Sequence, residues 1–174
     1  MFWINLLTEY QRLCRAQDFL EVAADTPAAF TDVPAVSGWS VAQHAHHAAH
    51  VNTKMMAAAR ELAEGDTALA AQGRSNAVAW LVLTLQRMPR GKGRSPRAFV
   101  PPEGLDASQL GPVLNQSRRA LERVEPHLPM LRRSAQRLPH PVMGALTPQQ
   151  WFRVARLHAE HHHRIMRDIT RHLD

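Results

Sequence analysis

A chain of 174 residues, 45% of them apolar, is long enough to bury a sizeable core as one domain. Its single cysteine, Cys14, excludes an intramolecular disulfide and any cysteine-rich zinc site, and no apolar run is long enough to span a bilayer. The formal charge of +6, from 21 Lys+Arg against 15 Asp+Glu, would admit a polyanionic partner. The basic excess sits in Arg87–Arg97 and Arg118–Arg137, few aromatics accompany it, and no helix-turn-helix or zinc-finger pattern appears. A solvated basic surface is the better reading, and nucleic acid is disfavoured.

The start, MFWINLLTEYQRLCR, has no basic n-region and turns polar within about eight residues, so the expected location is cytoplasmic, with no membrane partner. Alternating patterns typical of strands are nearly absent, which points to an all-α fold over residues 1–174 as a single domain. A first helix is expected from Ile4 to Ala24. Leu6, Leu7, Leu13 and Leu20 form its apolar side, Glu9, Arg12, Arg15 and Asp18 stand between them, and Asp25-Thr26-Pro27 ends it. Cys14 reads as a small core hydrophobe rather than a nucleophile. Residues 25–39 make a surface connection.

Ser40 with Gln43 three residues later is a capping-box start for a second helix, which runs to about Glu64 and stops at Gly65. Four of its residues are histidines, and helical geometry separates them. His44 lies inside the apolar arc with Val51, Met55 and Leu62, and His47 lies at its edge. His46 and His50 share the polar side with Thr53, Arg60 and Glu64 and point toward water. After a polar stretch at 66–75, Asn76 caps a brief apolar helix, AVAWLVLTLQRM, that ends at Pro89.

Pro89–Asp106 reads as a long irregular loop, the kind that serves as a lid, a binding loop or a mobile connection. Its Arg90, Lys92, Arg94 and Arg97 can meet an anionic substrate, although a solvated loop is the plainer reading. A further amphipathic helix over 107–128 uses Leu110, Val113, Leu114, Ser117, Leu121 and Val124. A turn or two follows at 130–138, and His140-Pro141 leads through Gly144 into the last helix.

That last helix carries the chemistry. Thr147 caps it, Pro148 takes the first helical position and Gln150 completes a capping box. Trp151, Val154, Ala155, His158, His162, Ile165, Met166, Ile169 and Leu173 fall on one stripe, with Arg153, Arg156, Glu160, His163, Arg164 and Arg167 on the other side. His158 and His162 thus stand one turn apart near the middle of a core-facing stripe, where both can reach one metal ion. The plainer alternative is a pair of core histidines satisfied by hydrogen bonds.

Long helices with one apolar face each pack most simply as a four-helix bundle with long connections and one or two extra short helices. If the second helix lies beside the last, His47 joins His158 and His162. Three neutral imidazoles with a fourth position left for water describe a catalytic type of zinc site rather than a closed structural one. No carboxylate lies on the inward face, so an all-histidine set favours zinc or nickel over magnesium or calcium.

These residues resemble the DinB-like (DinB/YfiT) superfamily of helical bundles, a group of metal-dependent enzymes, and in particular a subgroup of unknown function. Trp39-Ser40 followed by His44 and His47 is similar to the family's W-S-x-x-E-H-x-x-H helix start. HPVMGALTPQQW (His140–Trp151) followed by His158, His161 and His162 is similar to its H-P-x-x-G-x-L-T-x-x-x-W…H-x-x-H-H ending. The resemblance covers about Leu6 to Ile169. It implies a four-helix bundle, a divalent metal on His47, His158 and His162, and a small-molecule substrate. It also implies either a metal-activated water for hydrolysis or a bound low-molecular-weight thiol, such as bacillithiol or mycothiol, for transfer or isomerisation. A homodimer is common in the family. Gln43 stands where Glu is common and His163 where an apolar residue is common; neither removes a ligand. His44 and His161 are the candidates for partners that fix a ligand's tautomer, or for a general base. The contrasting reading is a non-catalytic binding or stress-response module whose metal is structural or absent.

Overall fold

In the computed structural model of the protein, which describes residues 4–66, 68, 70–91 and 95–173, the chain is mostly helical. The first helix, α1 (Leu6–Ala24), starts where Asn5 accepts a hydrogen bond from the Thr8 amide at 3.2 Å, slightly later than the apolar pattern alone suggests. Helix α2 (Val41–Ala63) opens on the expected capping box. The Ser40 hydroxyl accepts from the Gln43 amide, and the Gln43 side chain accepts from the Ser40 amide. It closes at Gly65, whose φ of 95° needs a residue without a side chain.

Helix α3 (Ala77–Leu85) is capped by Asn76 as expected but ends well before Pro89, because Gln86 turns into the left-handed region at φ 49°. Helix α4 (Ala107–Val124) has its own capping box, Asp106 with Gln109. A tight turn at Glu125–His127 then separates it from the short α5 (Leu128–Arg133). The last helix, α6 (Pro148–Leu173), starts on the Thr147–Gln150 capping box, with both reciprocal bonds formed.

Two strands that the sequence pattern did not announce precede α6. β1 (Leu138–His140) and β2 (Gly144–Leu146) pair antiparallel, Leu138 opposite Leu146. Elements of three residues are too short to show alternation, so this small hairpin left no mark on the pattern of a chain that is otherwise mostly helical, as expected. The turn between them explains the residues around it. His140 Nδ1 accepts from the amides of both Val142 and Met143 at 3.2 Å. Gly144 has φ 74°, and a Cβ there would stand 2.7 Å from the Arg74 carbonyl. Asn76 caps α3 with one side-chain atom and donates to the Val142 carbonyl with the other. The hairpin therefore fixes where both α3 and α6 begin.

Helix α6 packs against α1 and α2, and α2 also packs against α4. The buried apolar residues fall into two clusters. One gathers Leu6, Leu13, Met55, Met56, Trp151, Phe152 and Leu157, and the other Leu20, Val41, Ala42, Leu110, Met166 and Ile169.

One side of α6 differs from its reading as a polar face. Arg156 is 1% exposed, Arg153 8% and, across from them on α1, Glu9 2%. Glu9 accepts from Arg153 at 2.7 Å and from Arg156 at 2.6 Å, while Arg156 also reaches Glu160 at 2.7 Å. A helix hemmed in by neighbours can bury guanidinium groups only where carboxylates neutralise them. Leu7, by contrast, belongs outside the core at 52% exposure.

Glu9→Leu should therefore lower unfolding free energy by about 3–5 kcal/mol, since it leaves the buried Arg153 without a carboxylate and Arg156 with Glu160 alone. Arg60→Ala, which breaks the surface pair with Glu64, should cost less than about 1 kcal/mol. Urea denaturation of the two variants checks the contrast, and comparable losses would show that the Glu9 network is not carrying buried charge.

Candidate metal centre

Side-chain pairings fix how α2 and α6 run. His44 meets His162, His47 meets His158, and the Met55 carbonyl accepts from the Trp151 indole at 2.8 Å. Residue numbers rise on one helix as they fall on the other, so the two are antiparallel. The inward positions of α2 are small: Ala42, Ala45, Ala48 and Ala49 are wholly buried. Alanine at these positions lets neighbouring helices approach α2 closely, and the imidazoles of α2 and α6 share one space between the two apolar clusters.

Three imidazoles meet there through the same ring atom. The Nε2 atoms of His47 and His162 lie 3.1 and 3.2 Å from Nε2 of His158. One ligand atom from each of the three residues lies within 4.8 Å of the others, a grouping that could hold a metal ion. Nitrogens bound at zinc's usual distance in a tetrahedron stand about 3.3 Å apart, so the observed spacing fits a small divalent ion.

The second ring nitrogens show why these faces are turned inward. His47 Nδ1 lies 2.8 Å from the Phe99 carbonyl, which can only accept; the proton of the neutral ring is therefore on Nδ1 and Nε2 offers a bare lone pair. His162 Nδ1 meets His44 Nδ1 at 2.9 Å, and His44 Nε2 meets the Ser37 hydroxyl at 2.8 Å. Ligation by His162 requires its Nδ1–H to donate to His44, whose Nε2–H then donates to Ser37. That chain is consistent with every partner present. His158 Nδ1 is buried and has no hydrogen-bond partner among the described residues, whereas its Nε2 faces those of His47 and His162.

Burial holds all four rings neutral. Desolvation, reinforced by neighbouring imidazoles, lowers His44 to about 3 and drives His158 and His162 well below the usual histidine range. His47 is lowered too, by burial first and against the pull of the Phe99 carbonyl. Neutral imidazoles are the form that ligates.

The three sequence-selected ligands are thus brought together, and His44 touches one of them. His161 takes a different place: its ring edge lies 5.2 Å, centroid to centroid, from that of His162, while its body lines a neighbouring cavity. His46 and His50 stay out of the cluster, but both are half-buried rather than facing open water, and Thr53 beside them is buried.

Two participants were not singled out by sequence reasoning. Ser37 and the Phe99 carbonyl carry no signal, being a loop serine and a main-chain atom. Trp39 did appear before the Ser40 cap; its ring stands 5.4 Å from His44 and 5.1 Å from His47 and forms a wall of the site. Of the four basic loop residues read as anion contacts, Arg90 pairs with Asp168 at 2.7 Å and Arg97 is exposed, while Lys92 and Arg94 lie outside the described residues.

The chain belongs to a family described as a protein of unknown function (DUF1569), whose model matches residues 29–169. No curated protein matches it, and no solved structure does.

Because these histidines protonate less readily in the folded protein than in the unfolded chain, acid favours unfolding. The unfolded chain takes up protons below about pH 6.5, while folded His44 resists until about 3. Metal-free protein should accordingly lose stability as pH falls through that window, by up to about 1.4 kcal/mol per pH unit for each such histidine. Urea midpoints of chelator-treated protein between neutral and mildly acidic pH test this, and a flat profile would contradict the burial of these rings.

Proposed function

We propose that the protein is a metal-dependent enzyme of the DinB-like kind, a four-helix bundle that binds a divalent ion on His47, His158 and His162 and acts on a small molecule. The observation that supports it most is the convergence of three Nε2 atoms at a spacing suited to one ion. Hydrogen bonds on His47 and His162 can leave the lone pairs of both facing inward. Without a cation, close-set lone pairs repel, and the cost falls inside the protein where water does not screen it.

A three-histidine set favours zinc or nickel, and such an ion would supply a Lewis acid with a position for water or a thiol. The chain's own residues hold the rings. Phe99 fixes the tautomer of His47, and Ser37 through His44 fixes that of His162. His44, so engaged, is a positioning residue rather than a free base. Trp39 covers one side and keeps water from the rings. A hydrolase or a thiol transferase follows, depending on which molecule takes the remaining position.

Elemental analysis of purified protein should find about one zinc or nickel per chain. His158→Ala should abolish it, whereas His50→Ala should keep it; equal loss in both would contradict the assignment of faces. In cobalt-substituted protein, adding a small thiol should change the ligand-field spectrum. A spectrum indifferent to thiol and to anions would mean a closed structural ion, and hence the non-catalytic alternative.

A further inference from the structure

Beside the histidine cluster, where residues 87–90 cross α6, lies a cavity of about 350 Å³ lined by Arg87, Arg90, His161, Arg164, Arg167 and Asp168, together with Met88 and Pro89. Four guanidinium groups close on one recess, and the lining holds one carboxylate. That carboxylate, Asp168, is committed to Arg90 at 2.7 Å. Among the described residues, Arg87, Arg164 and Arg167 have no carboxylate partner, although elsewhere Arg118, Arg153 and Arg156 all do. Arg164 is the most telling: its Nη2 is buried and has no hydrogen-bond partner among the described residues. A buried guanidinium N–H without an acceptor is a cost that folded proteins normally remove.

We propose that this cavity binds the anionic end, carboxylate or phosphate, of a small molecule. Guanidinium groups match the paired oxygens of both anions, and the recess is of a size that small ligands fill. The inference goes beyond the metal centre and does not depend on an ion being there. The two sites are nonetheless adjacent, since His161 lines the cavity and its ring abuts that of His162. A molecule anchored here by its charge extends toward the imidazoles. A nucleic-acid backbone is the poorer fit, because it calls for charges spread along a surface rather than converging on a recess.

Isothermal titration calorimetry of the full chain, at constant ionic strength, with inorganic phosphate and separately with citrate, tests the proposal and tells the two anion chemistries apart. Saturable binding of at least one is expected. Arg164→Gln and Arg87→Gln should each weaken it by about tenfold, and Arg132→Gln, at an exposed position of α5, should not. Arg87 is exposed in its loop, so that variant carries the test should Arg164→Gln fold poorly. His158→Ala, which removes the ligand centre, should bind the anion as the parent does. Absence of saturable binding, or binding untouched by both arginine variants, overturns the proposal. So does binding that disappears only in His158→Ala, which would put the anion on the metal. A short DNA duplex that binds more tightly than either anion, with steep salt dependence, would overturn it in favour of a nucleic-acid surface.

Discussion

The antiparallel seam between α2 and α6 sets the spacing of the chemistry in this protein. Wholly buried alanines at 42, 45, 48 and 49 let neighbouring helices pack closely on α2, and the buried bond from the Trp151 indole to the Met55 carbonyl fixes the register of α2 against α6. With that register set, His44 and His47 face His162 and His158 as a consequence of helical rise. A shift of one residue along α2 would turn each imidazole by about 100° and scatter the cluster. The residues before α6 protect the same register. The His140 turn, Gly144 pressed against the Arg74 carbonyl, and the Thr147–Gln150 capping box all determine where the helix begins.

The low dielectric of this interior acts on two kinds of group in opposite ways. Imidazoles answer burial by losing their charge, which leaves them able to ligate. Guanidinium groups cannot, so each buried one must be met by an acid. Glu9 does this for Arg153 and Arg156, and Glu160 shares the load. The two solutions lie on different faces of a single helix: neutral rings toward α2, compensated cations toward α1. Arg164, whose buried Nη2 has no acceptor among the described residues, follows neither pattern, which is why it stands out in the proposed anion site.

Much of this was legible in the sequence, for reasons that can be named. Capping boxes at Ser40 and Thr147 and the glycine at 65 are local signals, and they placed the helix ends that matter for the site. His158 and His162 were selected by helical period alone, and His47 by its place at the edge of an apolar arc. What failed was whatever depended on distant partners. Glu9, Arg153 and Arg156 look solvent-facing because their compensation comes from residues far apart in the chain. Three-residue strands carry too little pattern to be seen. Gln86 ends α3 through a backbone conformation that its identity does not announce. His46, His50 and Thr53 were placed by the helical wheel as if only one side of α2 were covered, whereas α4 and the loop over Phe99 cover more of it.

The long connection between α3 and α4 shows how a single substitution in a motif can follow from its surroundings. Read from sequence it is an irregular, solvated loop, but the described part is tied down on both sides of the site. Arg90 pairs with Asp168 on α6, the Phe99 carbonyl accepts from His47, and the Pro102 carbonyl accepts from Gln43 at 3.1 Å. Gln43 is the capping-box residue of α2, at the position where the resembling motif has Glu. A carboxylate can accept from the Ser40 amide, as the Gln43 Oε1 does at 3.0 Å, but it has no proton to offer a carbonyl. The amide serves both ends at once, closing the first turn of α2 and holding the strap whose carbonyl fixes the tautomer of His47. A Glu at 43 would keep the cap and set its charge against the Pro102 carbonyl. The glutamine is therefore part of what keeps His47 aimed at the other two rings.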